Sequence, residues 1–74
     1  MESNREKRGS AGWLRNGALI IDKAPHVVLA KWIRGGHHEF VTWLLDEEEN
    51  TFLGHYFTSI KDAAIDYEER RQRP

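Results

Sequence analysis

Residues 26–45, HVVLAKWIRGGHHEFVTWLL, decide the fold of this chain. Two runs rich in β-branched and aromatic residues lie on either side of the pair Gly35-Gly36. Such runs favour strands, and glycine accepts the positive φ angles that a two-residue hairpin turn requires. The stretch therefore predicts an antiparallel hairpin in which Arg34 lies opposite His37.

The segments on either side extend this hairpin into a meander. Upstream, WLRNGALII over residues 13–21 is apolar around an Asn-Gly pair, which favours a short strand or hairpin. Downstream, the acidic loop DEEEN at 46–50 leads into the run TFLGHYF. The pattern predicts an antiparallel β-meander of three to four strands, with the main strands at 26–34, 37–45 and 51–57.

The hydrophobic pattern changes to helical spacing after this last strand. Ser59 followed by Asp62 is typical of a helix start, because a serine hydroxyl caps free backbone N–H groups and an acid favours the positive helix end. Apolar residues and then arginines follow at helical positions: Ile60, Ala63, Ala64 and Tyr67, then Arg70, Arg71 and Arg73. We therefore predict an α+β fold, a small antiparallel β-meander with one C-terminal α-helix packed on one face.

Length and composition limit the organisation of the chain. Its 74 residues carry 11 Lys and Arg against 12 Asp and Glu, a net charge of −1. This length predicts one domain at 13–72, between a flexible polar arm at 1–12 and a tail at 73–74. It leaves no room for a two-lobed catalytic cleft.

The composition also bears on location. No apolar run reaches the roughly 20 residues that span a bilayer, and the polar N-terminal stretch has no signal-peptide core. The chain has no cysteine, which excludes disulfides and Cys-ligated zinc. We therefore expect a small cytoplasmic protein with no membrane association.

The hairpin register assigns the strand residues to two faces of the sheet. Face one is defined as the face that carries Val28, Ala30, Val41 and Trp43, and face two is the opposite face. The same hairpin places Trp32 on face one, and continuing the count through a five-residue loop adds Leu45, Leu53, His55 and Phe57. Face two receives Val27, Leu29, Ile33, Phe40, Leu44, Phe52 and Tyr56, with Lys31, Thr42 and His38. We expect the helix on face one, where its alanines allow a close approach to the indoles.

The face without a helix predicts a binding surface. An exposed apolar patch on the order of several hundred Å² usually marks an interaction site. The predicted interface consists of Val27, Leu29, Phe40, Leu44, Phe52 and Tyr56. Its predicted occupant is a second copy in a two-fold homodimer, which needs one self-complementary patch, or another partner protein. The alternative is that residues 13–21 fold back over this face.

The polar residues form no recognisable catalytic or metal-binding pattern. His37 and His38 are neighbours in a strand and point to opposite faces, and no HExxH or H-x-H spacing occurs. His55 is predicted to lie near Glu39 in a structural role. The acidic loop at 46–50 lacks the pattern of a Ca²⁺ loop. We therefore predict a non-enzymatic protein with no catalytic residue, cofactor, metal or small-molecule substrate.

A nucleic-acid-binding module is the alternative function. Lys31, Trp32 and Arg34 combine positive charge with an aromatic ring that can stack on a base. Arg70 and Arg71 add a basic helix end. Against this alternative, the net charge is slightly negative and no RNA-binding motif is present.

No family motif occurs in the chain. In general style, the strand-rich body, the acidic turn and the S-x-x-D-A-A helix start are similar to small accessory proteins, including those of phages and mobile elements. The predicted function is therefore a protein–protein interaction module, and a regulator or inhibitor of that accessory kind is one form of it.

Overall fold

The computed structural model describes residues 12–73, an antiparallel sheet followed by a helix. The elements are β1 (Leu19–Ala24), β2 (Val27–Arg34), β3 (His37–Leu45), β4 (Thr51–Phe57) and the helix α1 (Ile60–Gln72). The strands lie in the sheet in chain order, so β1 and β4 form its edges. The predicted α+β meander with a C-terminal helix is confirmed. The predicted arm, apart from Gly12, and Pro74 of the predicted tail lie outside the described residues.

The β2–β3 hairpin has the predicted register along its whole length. Arg34 pairs with His37, and the pairing continues to the start of β2 as predicted. Gly35 and Gly36 have φ angles of 55° and 84°. These angles lie in the left-handed region, which glycine adopts without a steric penalty.

β1 lies later in the chain than predicted. The Asn16-Gly17 pair forms a turn, in which Gly17 has a φ of 96°. The strand starts after this turn and continues through the segment DKA at 22–24, beyond the end of the predicted strand or hairpin at 13–21. A bulge at Ile21 absorbs one residue in β1, and the chain reverses at Pro25 and His26. His26 is therefore a turn residue and not the first residue of β2.

A β-bulge at Leu53 changes the facing of the second half of β4. Leu53 has a φ of 51°, and Thr42 pairs with His55, one residue later than predicted. Because side chains alternate between the faces, one inserted residue moves every later side chain to the opposite face. His55 and Phe57 therefore lie on face two and Tyr56 lies on face one, which corrects the predicted faces of all three.

α1 packs on face two, so the prediction that it covers face one is wrong. Ala63 is fully buried and Tyr67 is almost so, and both belong to a cluster with Val27 and Leu29. The small Ala63 side chain lets the helix lie close to the sheet. The bulge contributes to this choice of face, because it turns Phe57 at the end of β4 into the same cluster.

Both ends of α1 show local hydrogen bonds. Oγ of the N-cap residue Ser59 accepts a hydrogen bond from the backbone N–H of Asp62 at 3.4 Å, as predicted. At the other end Arg73 has an extended backbone, and its N–H donates to the carbonyl oxygen of Arg70 at 3.4 Å. The side chain of Arg70, in this last turn, donates a hydrogen bond to the carbonyl oxygen of Thr42 on β3.

The segment before β1 covers face one. Leu14 and Ala18 are buried in a cluster whose other buried members are Val28, Ala30, Val41, Trp43 and Leu45. Nη1 of Arg15 lies 3.3 Å from Oδ1 of Asn50 and ties this segment to the acidic loop. Self-coverage by the first segment therefore occurs, but on face one rather than on face two.

Trp43 is buried on face one and is 4% exposed. Its ring centroid lies 5.2 Å from that of Trp32 and 6.2 Å from that of Tyr56, in edge-to-face contacts. A Cβ on Gly54 would lie 2.6 Å from Nε1 of Trp43. Gly54 is therefore needed for the indole to lie against β4.

Candidate protein-interaction surface

The residues predicted as an interface do not form one exposed surface. Val27 and Leu29 are buried beneath α1, and Phe40 and Leu44 are half-buried against it. The remaining two residues lie on β4 with opposite facing. The predicted surface on face two is not open to a partner, because the helix occupies it.

The residues predicted for nucleic-acid contact are also separated. Lys31 and Trp32 are neighbours in β2 and point to opposite faces. Arg34 ends this strand beside the Gly-Gly turn. Arg70 is 6% exposed, and Arg71 is paired with a carboxylate of its own helix at 3.0 Å. The structure does not bring Lys31, Trp32, Arg70 and Arg71 together on one basic surface.

Arg70 joins α1 to β3 and β4 through a buried guanidinium. Nη1 donates to the carbonyl oxygen and to Oγ1 of Thr42, at 3.0 and 2.9 Å. Nη2 donates to the carbonyl oxygen of Leu53 at 2.7 Å. Burial lowers the pKa of this guanidinium, the charge of Asp66 opposes the shift, and the charge of Arg73 adds to it.

Asp66 lies between Thr42 and His55 on face two. Its Oδ2 accepts a hydrogen bond from Oγ1 of Thr42 at 2.5 Å and lies 3.0 Å from Nδ1 of His55. Burial opposes ionisation, but these two hydrogen bonds and the charges of His55 and Arg70 outweigh it, so the pKa of Asp66 lies below its usual value. The predicted neighbour of His55, Glu39, is wrong because the bulge turns His55 to the other face.

These side chains have the residue types of a hydrolytic triad without its connectivity. In such a triad the imidazole takes the proton of the hydroxyl, and the carboxylate orients the imidazole. Here the hydroxyl of Thr42 donates to Asp66 and not to His55. Thr42 is fully buried, so its oxygen does not face a substrate. The arrangement instead holds the helix to the sheet.

The acidic loop is organised by Asp46. Its Oδ1 accepts hydrogen bonds from the backbone N–H groups of Glu48 and Asn50, at 2.9 and 2.8 Å. The hydrogen bond from the backbone N–H of Asn50 is the main reason that the pKa of Asp46 lies below its usual value. Within residues 12–73, no group of three or more His, Asp or Glu side chains is placed to hold a metal ion.

The outer edge of β4 combines exposed apolar side chains with the absence of charge. Leu53 is 66% exposed, Tyr56 52% and Phe52 44%. No Asp, Glu, Lys or Arg occurs in Thr51–Phe57. No segment of the described chain pairs with this edge. Natural edge strands usually carry charges that discourage the addition of another strand.

The opposite edge, at β1, is protected. Trp13 forms an isolated bridge with Leu19. β1 also carries Asp22 and Lys23, and Nζ of Lys23 lies 2.9 Å from Oε2 of Glu49. Because charges and bridged backbone discourage strand addition, β4 is the edge that favours it.

A groove of about 420 Å³ lies between the start of β4 and the end of α1. Its lining combines apolar side chains with cationic or ionisable ones, namely Leu44, Leu45, Phe52 and Leu53 with His26, His55, Arg70 and Arg73. No Asp or Glu belongs to this lining. Sequence reasoning did not find the groove, since its residues come from a turn, two strands and a helix end.

The fold and its surfaces define a small α+β domain with a helix anchored to the sheet by a buried arginine. Comparisons of the chain with protein-family models, with curated proteins and with solved structures find no match. Of the described segments, no helix has the length and apolar character needed to cross a membrane. The exposed surfaces of the domain are therefore the features that bear on its function.

Proposed function

We propose that this protein is a non-enzymatic protein–protein interaction module that associates through the outer edge of β4. The observation that carries the proposal is the uncharged edge strand with exposed Leu53 and Tyr56. An unpaired edge offers a row of backbone donors and acceptors, and its apolar side chains supply contact area. A regulator or inhibitor that acts by occupying a partner's surface requires no further chemistry.

The proposed partner at this edge is a second copy of the chain. Two β4 strands related by a two-fold axis pair antiparallel, which joins the two sheets into one. Thr51–Phe57 contains no Asp, Glu, Lys or Arg, and its one histidine, His55, is paired with Asp66, so two identical strands approach without repulsion between unpaired like charges. The bulge at Leu53 confines regular pairing to residues 54–57.

The solution mass, measured by light scattering over a concentration series, tests this proposal. The wild type is expected to approach twice the chain mass of 8.7 kDa at high micromolar concentration. Tyr56→Lys places a charge on the edge and is expected to give a monomer. Ile65→Lys is the matched control, because Ile65 is 53% exposed on α1 and does not belong to the edge.

Thermal unfolding of both variants separates lost association from lost structure. If the wild type remains monomeric at every concentration, the proposal that β4 pairs with a second copy of the chain is wrong. Equal loss of association in Tyr56→Lys and Ile65→Lys shows that added charge, and not the edge of β4, controls the solution mass.

A further inference from the structure

The groove between β4 and the end of α1 has a rim of charged and ionisable side chains. His26, His55 and Arg73 belong to this rim, and no carboxylate lines the groove. The guanidinium of Arg70 is bound by protein oxygens. Arg73 is exposed, and the hydrogen bond it makes within residues 12–73 comes from its backbone N–H, which donates to the carbonyl oxygen of Arg70. Arg73 is therefore available to a ligand.

The charge balance of this region is positive. Arg70 and Arg73 are opposed by Asp66, whose carboxylate is already bound by Thr42 and His55. The two guanidinium groups lie close enough for Arg73 to lower the pKa of Arg70. A ligand carboxylate beside Arg73 would offset this repulsion.

Four of the eight residues that line the groove are apolar. Phe52 and Leu53 are exposed, and the half-buried Leu44 contributes to the same lining. The volume of about 420 Å³ falls within the range of roughly 300–1,000 Å³ that is typical of ligand sites. An arginine beside apolar side chains is complementary to a carboxylate that is carried next to an apolar side chain.

We infer that this groove binds a short acidic–apolar segment of a partner protein. A carboxylate of the segment lies against Arg73 and His55, and a neighbouring apolar side chain covers Phe52. Hydrogen bonds from a guanidinium to a carboxylate are stronger than neutral ones and fix the orientation of the ligand. A nucleic acid would bind the cations and stack a base on Phe52, but it would leave Leu44 and Leu53 uncovered, so the groove favours a peptide. This site goes beyond self-association, since it takes a different ligand.

Fluorescence anisotropy with the full chain tests the inference. The first probe is a labelled octapeptide that alternates Leu and Glu, and the second alternates Leu and Gln. The Leu–Glu probe is expected to bind at least about tenfold more tightly, because only its carboxylates pair with the rim. Equal binding of the two probes would overturn the role assigned to the carboxylate.

Arg73→Gln and Arg71→Gln form a matched pair of variants. Each removes one positive charge from the end of α1, but only Arg73 lines the groove. Arg73→Gln is expected to weaken binding of the Leu–Glu probe about tenfold, and Arg71→Gln by less than about twofold. Equal weakening by the two variants would show that binding depends only on the overall charge of the protein, and it would overturn the proposed site. Thermal unfolding confirms that each variant is folded.

A labelled single-stranded DNA octanucleotide is the third probe. If it binds more tightly than the Leu–Glu peptide and depends on Arg73, the ligand is a nucleic acid and the inference is wrong. Tyr56 does not line the groove, so monomeric Tyr56→Lys is expected to retain peptide binding. Failure of self-association and failure of the groove are therefore measured separately.

Discussion

Arg70 donates a hydrogen bond of 2.7 Å from Nη2 to the carbonyl oxygen of Leu53. Leu53 is the bulged residue of β4, and its φ of 51° is uncommon for a residue with a side chain. A side chain in the last turn of α1 thus binds the backbone of β4 at its bulge. The same guanidinium also binds Thr42 on β3, so one side chain links three elements.

Arg70→Ala is expected to lower the free energy of unfolding by about 2–4 kcal/mol. The change removes hydrogen bonds to Thr42 and Leu53 and leaves the carboxylate of Asp66 without this nearby positive charge. Denaturant unfolding followed by tryptophan fluorescence measures the loss. Arg71→Ala is the control and should change stability by no more than about 0.5 kcal/mol. Equal midpoints for the two variants would show that the buried guanidinium does not hold the helix.

Gly54→Ala is expected to destabilise the protein by about 1–3 kcal/mol, the usual range for overpacking. The new Cβ would lie 2.6 Å from Nε1 and 2.9 Å from Cδ1 of Trp43, so the indole or the strand must move. Denaturant unfolding measures the change, and a shift of the tryptophan emission reports the displaced indole. Gly12→Ala meets nothing within 4 Å and serves as the control. A Gly54→Ala protein as stable as the wild type contradicts this packing.

The hairpin could be predicted because its signals are local. The Gly35-Gly36 turn fixes the register, and the β-branched and aromatic runs beside it define both strands. The helix start at Ser59 is equally local, because the hydroxyl accepts a hydrogen bond from the backbone N–H three residues later, within one turn.

The faces of β4 could not be predicted, because a bulge depends on contacts that are distant in the sequence. The stretch around Leu53 and Gly54 fits a regular strand by composition. What accompanies the bulge is the approach of Trp43 to Gly54 and the hydrogen bond from Arg70. The inserted residue placed His55 and Tyr56 on faces opposite to those predicted, and so it removed Tyr56 from the predicted interface on face two.

The burial of Arg70 did have a signal in the sequence. Ala63, Tyr67 and Arg70 are spaced by four and three residues, which places them on one helical stripe. Its charge alone predicts that Arg70 is exposed to solvent at the helix end. The structure instead buries it, because its guanidinium donates to the carbonyl oxygens of Thr42 and Leu53.

Trp43→Ala is expected to lower the free energy of unfolding by about 3–5 kcal/mol, enough to unfold much of a domain of this size. Trp43 is buried, and its ring packs against Trp32 and Tyr56. Circular dichroism and denaturant unfolding measure the loss. Trp13→Ala is the control, because Trp13 is 50% exposed and should contribute about 1 kcal/mol or less. A folded Trp43→Ala protein with near wild-type stability would show that the packing of Trp43 contributes little to the stability of the fold.

Acid is expected to weaken the attachment of α1 to the sheet through Asp66. The folded-state pKa of Asp66 lies below its ordinary value of 3.8, so this carboxyl binds a proton more readily in the unfolded chain. Its contribution to stability is therefore complete well above about pH 4 and is lost as the pH falls through the lower folded-state pKa. Protonation weakens the hydrogen bonds from Thr42 and His55 and removes the negative charge near Arg70.

The free energy of unfolding, measured between about pH 6 and pH 2, tests this dependence. The wild type is expected to lose stability more steeply below about pH 4 than Asp66→Asn, in which the titrating carboxyl is absent. Glu69→Gln removes an exposed acid from the same helix and should keep the wild-type slope. The pKa of Asp46 is also lowered, but this residue is present in all three proteins, so the difference between their profiles isolates Asp66. Parallel profiles for the wild type and Asp66→Asn would show that the carboxylate gains nothing from Thr42, His55 and Arg70 in the folded state.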